Sequence, residues 1–349
     1  MSHEGVAVPV SRLDAGSLGH RVVVRHRLPD GRATDVVGEL VSLAEDALAV
    51  RPDGGPPVAV PLAAVVAAKV IPPRTVRPSS SVDDLQRVAD AGWPGLERER
   101  LGGWLLRAGG GFTGRANSAL PLGDPGLPVE AALTAVEAFY DARGLRPAVQ
   151  VPFGLTGPDS PAPGLDAVLA GRDWTHDPPT LMMTADLRRV AAPSPEVEVS
   201  AEPDDDWLGL YRYRGGPLPD IARQVLTAAP LQGFGSVRRG GRTVAVGRVA
   251  VAAGWAGVTA MQTDDGHLRQ GLGSLMLRAL LAWGAERGSR FGYLQVFAAN
   301  APAVALYDSV GFAPHHRYHY RRRTLLTPPT FAREDTGSRP RNRHPREQR

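Results

Sequence analysis

The sequence predicts an α+β protein in which a small all-β segment precedes two α/β halves with mixed, mostly antiparallel sheets. Residues 12–73 contain five short runs of β-branched residues separated by turn residues, a pattern typical of a small barrel. Residues 82–190 and 196–324 then repeat one order of helices and strands, since EAFYDARGLRPAVQV in the first half matches LAWGAERGSRFGYLQV in the second. The loop before the corresponding helix of the first half carries prolines and acidic residues, so we interpret this half as a degenerate copy.

The composition is that of an ordinary globular protein, because 43% of the 349 residues are hydrophobic and 22% are charged. No apolar run is long enough to span a membrane and the first residues do not resemble a signal peptide, so we expect a cytoplasmic protein without a membrane partner. The absence of cysteine excludes disulfides and thiolate catalysis. Lys69 is the sole lysine among many arginines, a bias that favours GC-rich coding over nucleic-acid binding, and no nucleic-acid partner is expected.

The all-β segment is predicted to form an SH3-like barrel. Its strands are RVVVRHRL from Arg21, DVVGELVSL from Asp35, ALAV from Ala47, VAVPL from Val58 and AAKVI from Ala67. Few aromatic residues are available to line a groove for a proline-rich peptide, so a docking or dimerisation module is favoured over a peptide reader. Dimerisation through this module would give a homo-oligomer. A Pro/Ser-rich linker at residues 72–81 follows.

The first half is predicted to hold helices at 83–91, 129–143 and 165–170, and strands at 103–107, 117–122, 148–153 and 180–187. The loop before its second helix, PLGDPGLPVEAA, contains Asp124, Pro125, Pro128 and Glu130. Proline removes amide donors and carboxylates repel phosphate, so this loop is not expected to bind an anion.

The second half begins with a strand near Glu196 and two helices, at 205–213 and 220–226. Three antiparallel strands follow, at 233–238, 243–252 and 255–263. Residues 267–278, HLRQGLGSLMLR, join the last strand to a long helix whose apolar positions share one face, namely Leu272, Met276, Leu280 and Trp283.

Gly271 and Gly273 lie where the backbone turns into this helix, and glycine tolerates the dihedral angles of such a turn. The first amides of a helix lack intrahelical partners and lie at the positive end of its dipole, so this loop predicts a phosphate or pyrophosphate site. Met276 replaces the third glycine of a dinucleotide-binding G-x-G-x-x-G, and Leu272 stands where a nucleotide P-loop has lysine. Both of those sites are therefore excluded.

The loop resembles motif A of the GNAT acyl-CoA N-acyltransferases, [QR]-x-x-G-x-[GA], although Leu268 departs from its first position. Downstream, NAPAVALYDSVGF at residues 300–312 resembles GNAT motif B, N-x-x-A-x-x-L-Y-x-x-x-G-F, at every defined position. The order of barrel and paired halves is similar to that of an actinobacterial GNAT family described as histone-acetyltransferase-like.

The resemblance implies an N-acetyltransferase that moves an acetyl group from acetyl-CoA to a primary amine by direct attack, without a metal. It implies that Tyr307 protonates the leaving thiolate, that backbone amides of residues 261–263 polarise the acyl carbonyl, and that Tyr211 and Tyr213 line the acceptor pocket. The residues that it implies for coenzyme binding are Met261, Gln262, Thr263, Leu268, Arg269, Gln270, Gly271, Leu272, Gly273, Ser274, Asn300 and Tyr307.

The general base, the acceptor and the function itself have alternatives at this level. The strand at 255–263 contains no carboxylate, so the base is Asp264, Asp265 or His267 just beyond it, or a water relay. The acceptor is a small-molecule amine, a peptide amino terminus or a protein lysine. The alternative function is a non-catalytic acyl-CoA-binding or docking protein that works through its barrel.

The last residues carry two further features. Residues 325–349 are rich in Pro and Arg, which predicts a disordered tail in preference to an arm that binds nucleic acid or another acidic surface. Just before them, His315, His316 and His319 lie close together in the sequence. A solvated strand end is the favoured interpretation of this trio, and a metal site is the alternative.

Overall fold

The structure is a computed structural model that describes residues 13–52, 55–71, 76–155, 162–213 and 215–324. The predicted tail and residues 72–75 of the predicted linker lie outside these ranges. The described residues form a five-stranded, a three-stranded and a nine-stranded sheet. None of their helices is long and apolar enough to cross a membrane.

The five predicted N-terminal strands are all present. They are β1 (Arg21–Arg27), β2 (Ala33–Leu43), β3 (Ala47–Pro52), β4 (Val58–Pro61) and β5 (Val65–Val70). The strands are antiparallel, in the order β4-β3-β2-β1-β5. Alternate residues point inward, so that Val22 and Val24 of β1 meet Leu40, Val50 and Val60 in one apolar core. The segment therefore buries a core of its own.

The first half contains the predicted helices and strands, with differences at their ends. Its elements are α1 (Val82–Gly92), β6 (Glu97–Leu101), β7 (Trp104–Ala108), β8 (Leu120–Pro121), α2 (Val129–Asp141), β9 (Ala148–Phe153), α3 (Leu165–Gly171), β10 (Thr175–His176), β11 (Thr180–Asp186) and α4 (Leu187–Val190). The hydroxyl of Ser81 accepts from the amide of Asp84 at 3.3 Å and so begins α1. The strand predicted at 117–122 is reduced to the two residues of β8.

The second half contains β12 (Glu198–Ser200), α5 (Asp205–Leu210), α6 (Ala222–Leu226), β13 (Gln232–Arg239), β14 (Arg242–Ala252), β15 (Trp255–Thr263), α7 (Leu272–Glu286), β16 (Phe291–Phe297), α8 (Ala301–Val310) and β17 (Ala313–Arg322). The helix predicted at 205–213 ends early, because Tyr211 is extended and Tyr213 pairs with Gly216 across a turn. Gly215 makes this turn with a φ of +78°. Tyr211 and Tyr213 therefore lie on an extended segment after α5.

The two halves exchange strands in the nine-stranded sheet, whose order is β10-β17-β11-β16-β15-β14-β13-β12 with β9 also paired to β17. Strand β11 of the first half lies between β16 and β17 of the second and is antiparallel to both. Strand β17 in turn pairs with β9 of the first half. Each half thus completes the sheet of the other.

Helix α7 packs closely on this sheet because glycines face it. A Cβ on Gly235 would lie 2.6 Å from the Sδ of Met276, and one on Gly247 would lie 2.8 Å from Cδ1 of Leu280. Both leucine and methionine side chains are fully buried between helix and sheet. The close contact fixes α7 relative to β13 and β14.

The sequence predicts that the histidine trio lies at a solvated strand end, and this prediction is wrong. Strand β17 lies between β11 on one side and β9 and β10 on the other, and its residues alternate so that His316, Tyr318 and Tyr320 are buried. Burial, together with the neighbouring His315, lowers the pKa of His316 to about 3. Within the described residues, no group of three or more potential ligand side chains is arranged to hold a metal ion.

Two of these histidines, His315 and His316, instead belong to a directed hydrogen-bond chain between the halves. His315 Nε2 donates to the carbonyl of Ser80 at 3.0 Å, so its Nδ1 must accept from His316 Nδ1 at 2.7 Å. His316 Nε2 is then the acceptor for Gln86 Nε2 at 2.7 Å. The chain continues through Gln150, Arg107 and Asp90. Both histidines must be neutral for every bond in this chain to form.

Candidate functional site

Strands β15 and β16 run parallel and then part. They pair over residues 255–258 and 291–294, and the ladder ends there although both strands continue. Next to this end β15 contains a bulge. Thr259 pairs with Arg248 and Gln262 pairs with Val246, so β15 has one residue more than β14 between the two pairs. Ala260 in the bulge has a φ of +52°. An extra residue bends a strand, so the last part of β15 leaves a gap beside β16.

Backbone amides of β15 face this gap. The amide of Asp264 donates to the carbonyl of Val244 in β14 at 2.9 Å. Successive amides of a strand point to opposite edges. The amide of Gln262 therefore also faces β14, whereas the amides of Met261 and Thr263 face the gap. Two of the three residues predicted to polarise the acyl carbonyl therefore present an amide there.

The glycine-containing loop, residues 268–274, ends at the N-terminus of α7. Gly271 has a φ of +79° and open space around it. The first amide of α7 with a helical acceptor is that of Leu275, which donates to the carbonyl of Gly271 at 3.0 Å. The preceding amides, those of Leu272, Gly273 and Ser274, are therefore without a helical acceptor and are available to an anion.

The other predicted residues of this loop are exposed. The Leu268 side chain is 51% exposed, and the Gln270 side chain donates to the carbonyl of Gly266 at 3.4 Å. Arg269 is exposed and has no ion-pair partner within the described part of the chain. Three backbone amides and a nearby free guanidinium together fit a phosphate group.

Asn300 and Tyr307 come from α8, which packs against the start of α7. A Cβ on Gly273 would lie 3.2 Å from Cδ2 of Leu306. Asn300 caps α8, since its Oδ1 accepts from the amide of Ala303 at 3.2 Å. Tyr307 is half-buried, and its hydroxyl has no hydrogen-bond partner among the described residues. Burial raises the pKa of Tyr307, so its phenol is protonated at neutral pH.

A cavity of about 410 Å³ lies at the gap. One wall comes from β15, β16 and α8 and includes Met261, Asn300 and Tyr307. Another part of the wall is aromatic and is formed by Tyr211, Tyr213, Tyr318 and Tyr320. The structure thus brings five of the predicted site residues into one cavity, whereas Gln262, Thr263 and residues 268–274 lie beyond its lining.

The first half supplies a part of this wall that the sequence analysis missed, residues 113–115. They belong to the loop 109–117, which the Asn117 side chain braces with four hydrogen bonds, to the amides of Gly109 and Gly111 and to the carbonyls of Phe112 and Thr113. Thr113 has a φ of +63°, and its hydroxyl accepts from Trp93 Nε1 at 3.0 Å. The signal available in the sequence was the three consecutive glycines at 109–111.

The candidate bases lie apart from the cavity. His267 Nδ1 is 3.0 Å from Asp264 Oδ2, and these residues form a 3₁₀ turn with Asp265 after β15. None of the three lines the cavity. Within its described lining the single carboxylate is Asp177, and Arg322 Nε engages it at 2.9 Å.

Two protein families match the chain by sequence. The family described as "Probable histone acetyltransferase Rv0428c C-terminal" matches residues 79–321, and the "Rv0428c N-terminal Sm-like domain" matches residues 16–69. The second match refines the predicted SH3-like barrel to the Sm-like type.

Individual relatives cover most of the chain. The probable histone acetyltransferase Rv0428c of Mycobacterium tuberculosis (strain ATCC 25618 / H37Rv) is 36% identical over 313 residues, which cover 87% of this chain and 94% of the relative. The uncharacterized N-acetyltransferase YobR of Bacillus subtilis (strain 168) is 28% identical over 246 residues, covering 68% and 96%. A solved GCN5-related N-acetyltransferase from Kribbella flavida aligns with 70% of this chain and 96% of its own, at 17% identity and a TM-score of 0.49. The chain therefore belongs to the family of the probable histone acetyltransferase Rv0428c, and it is an N-acetyltransferase of the GNAT class.

Proposed function

We propose that the acetyl donor is acetyl-CoA, bound by the second half alone, and that the amine acceptor enters the cavity at its aromatic part. The observation that carries this proposal is the position of Tyr307. Its free hydroxyl lines the same cavity as Met261, and its helix packs on the start of α7. A donor held at the α7 amides would thus extend along the gap toward that hydroxyl.

The loop 268–274 would hold the pyrophosphate. The amides of Leu272, Gly273 and Ser274 would donate to its oxygens, with the positive end of the α7 dipole behind them and Arg269 beside them. Gly271 permits the turn because its φ of +79° suits glycine. Leu268 would offer an apolar contact in place of the Arg or Gln of motif A.

The chemistry requires the amine nitrogen to bond to the carbonyl carbon while the carbon–sulfur bond breaks. The amides of Met261 and Thr263, which face the gap, would stabilise the charge that develops on the carbonyl oxygen. The Tyr307 hydroxyl would donate its proton to the departing thiolate. With Asp264 and His267 paired to each other outside the cavity, the proton released by the amine would pass to water.

Calorimetric titration with acetyl-CoA tests the donor site. We expect one molecule per chain, and at 100 times its dissociation constant the ligand should stabilise the fold by about 2.7 kcal/mol. Two equivalent sites would contradict the assignment of the cradle to the second half alone.

Thiol release from acetyl-CoA, measured over a panel of primary amines, tests the reaction. We expect release to depend on both the amine and the enzyme, with acetylated amine formed in equal amount. Tight binding of acetyl-CoA without turnover of any amine would instead favour the alternative of a docking protein.

A further inference from the structure

Arg115 places an unpaired cation in the cavity. Its Nη1 donates to Gln295 Oε1 at 2.8 Å, and its guanidinium lies 4.7 Å from the centre of the Trp93 ring. Within the described ranges no carboxylate lies at ion-pair distance from it. A half-buried guanidinium without a counter-charge is costly to desolvate, so a structure that keeps one has a use for it.

A second arginine contacts the same tryptophan ring. Arg248 is fully buried and lies 4.8 Å from the same Trp93 ring. Its Nε and Nη1 donate to the carbonyls of Leu226 and Gly92, and its Nη2 has no hydrogen-bond partner among the residues that the structure describes. Burial lowers the pKa of Arg248 to about 10, so the side chain is still charged at neutral pH. Its charge adds to that of Arg115.

Nothing in the described lining of the cavity neutralises these charges. Asp177 is already paired with Arg322. Burial raises the pKa of Tyr211 and Tyr318, with Arg115 opposing the rise, and both phenols are neutral at pH 7. A lysine flanked by further basic residues would therefore meet repulsion here, whereas an anion would be attracted.

The guanidinium is also held in place. The loop that carries Arg115 is braced by the four hydrogen bonds of Asn117, and the side chain is bound to Gln295 and stacked against Trp93. A cation fixed in this way loses little conformational entropy when it binds a ligand. Arg115 is thus preorganised for a planar anion such as a carboxylate.

We propose that the amine acceptor also carries a carboxylate, and that this group pairs with Arg115 while the amine approaches the end of the cavity where Tyr307 lies. The inference rests on the proposed function and narrows its acceptor to a small amino-acid-like molecule. A cavity of about 410 Å³ is within the usual range for small-molecule sites.

The test compares matched acceptors. A series of ω-amino carboxylates of graded chain length is assayed beside the corresponding primary amides, which keep the amine and lose the charge. With the wild-type enzyme we expect kcat/KM to favour the carboxylate by on the order of 10- to 100-fold at the best length. In Arg115→Gln this ratio should fall toward one, and in Arg115→Lys part of it should remain.

Acetyl-CoA affinity is measured for each variant as a check on folding, because Arg115 lies outside the donor loop. If Arg115→Gln loses its affinity for acetyl-CoA, the inference is judged from the wild-type kcat/KM values for the acids and the amides alone. Equal kcat/KM for acids and amides at every length, a preference for a lysine-rich basic peptide over both, or an unchanged ratio in a folded Arg115→Gln would each overturn the inference. Failure to acetylate any amine would overturn the proposed function first, and this inference with it.

Discussion

Helices α2 and α7 occupy corresponding places in the two halves, and they begin differently. Helix α7 follows Gly271 in the left-handed conformation and a nine-residue strand with a bulge. Helix α2 follows Pro128 and carries Glu130 in its first turn, and the strand before it has two residues. An anion site at a helix N-terminus thus needs a suitable strand as well as free amides, since without the bulged part of β15 no gap would lead away from the loop.

The first half lacks the features of a donor site but contributes to the cavity. Residues 113–115 of its loop 109–117 line the cavity, and its strand β11 completes the sheet beside β16. The two halves are therefore not equivalent. One half is suited to the donor, and the other shapes the space in front of it.

The largest contrast should appear between two tyrosines. Tyr307 in the second half has a free hydroxyl at the cavity, whereas the Tyr140 hydroxyl in the first half donates to the carbonyl of Arg107 at 3.0 Å. Tyr307→Phe should lower kcat by on the order of 10²–10⁴ with little change in acetyl-CoA affinity. Tyr140→Phe should cost about 1 kcal/mol of stability and leave kcat unchanged. Rapid-quench kinetics measure the rate of the chemical step itself. A decrease of tenfold or less in that rate for Tyr307→Phe would show that Tyr307 is not the proton donor.

The next contrast compares two left-handed glycines in open space, Gly271 before α7 and Gly126 before α2. Gly271→Glu should weaken acetyl-CoA binding by on the order of 10³-fold, because a carboxylate about 4 Å from a phosphate costs about 4 kcal/mol near a protein surface. Gly126→Glu introduces the same side chain and similar backbone strain, and should cost about 1 kcal/mol of stability with unchanged affinity. Calorimetry that finds equal losses of affinity in both variants would mean that the donor loop is misplaced.

The hydrogen-bond chain that joins the halves predicts a dependence of stability on pH. The pKa values of His315 and His316 are lowered by burial, and that of His316 is about 3 when folded, so the unfolded chain binds more protons below pH 6.5. The free energy of unfolding should therefore decrease as the pH is lowered from about 6.5 toward 3. His316→Gln keeps a donor and an acceptor but does not titrate, and should remove about 1.3 kcal/mol of the loss between pH 7 and 5.5. Urea unfolding of both proteins at the two pH values measures this, and parallel losses would show that His316 is not the group responsible.

The smallest expected effect comes from a partly exposed ion pair between the halves. Asp166 in α3 accepts from Arg321 and His319 of β17, and the Arg321 bond, followed by that of His319, lowers its pKa to about 2 against the cost of burial. Asp166→Asn should cost about 1 kcal/mol at pH 7, because solvent screens the pair. The difference from wild type should be constant above about pH 4 and shrink as the pH falls toward 2. Asp30→Asn, which breaks an exposed local pair with Arg32 in the barrel, is the control and should lower the melting temperature less. A loss in Asp166→Asn no larger than that in the control would show that the pair between the halves stabilises the fold no more than an exposed pair does.

Much of the fold could be predicted from the sequence because its signals are local. Runs of β-branched residues indicated the five N-terminal strands, and Gly271 together with the period of α7 indicated the loop at the start of that helix. The exchange of β11 and β17 could not be predicted, since partners far apart in sequence leave no local pattern. The prediction of a solvated strand end for His315, His316 and His319 is wrong, although the alternation of His316, Tyr318 and Tyr320 already carries the signal of a half-buried strand.

The site was predicted in the same uneven way. Motif residues such as Asn300 and Tyr307 are identified by spacing, and they do line the cavity. Their roles remain predictions until the variants are measured. Arg115 carries no motif, because its place depends on the brace by Asn117 and on a contact with Gln295, 180 residues away.

The exchange of strands also sets the order in which the protein can fold on the ribosome. Asp186 of β11 pairs with Phe291 of β16, which is translated 105 residues later. At about 5–20 residues per second, β11 therefore waits roughly 5–20 s for its partner. During that interval Met182 and Met183, which are fully buried in the finished sheet, belong to a strand with two unpaired edges. Such edges readily pair with other chains, so the nascent first half is open to mispairing until the second half has emerged.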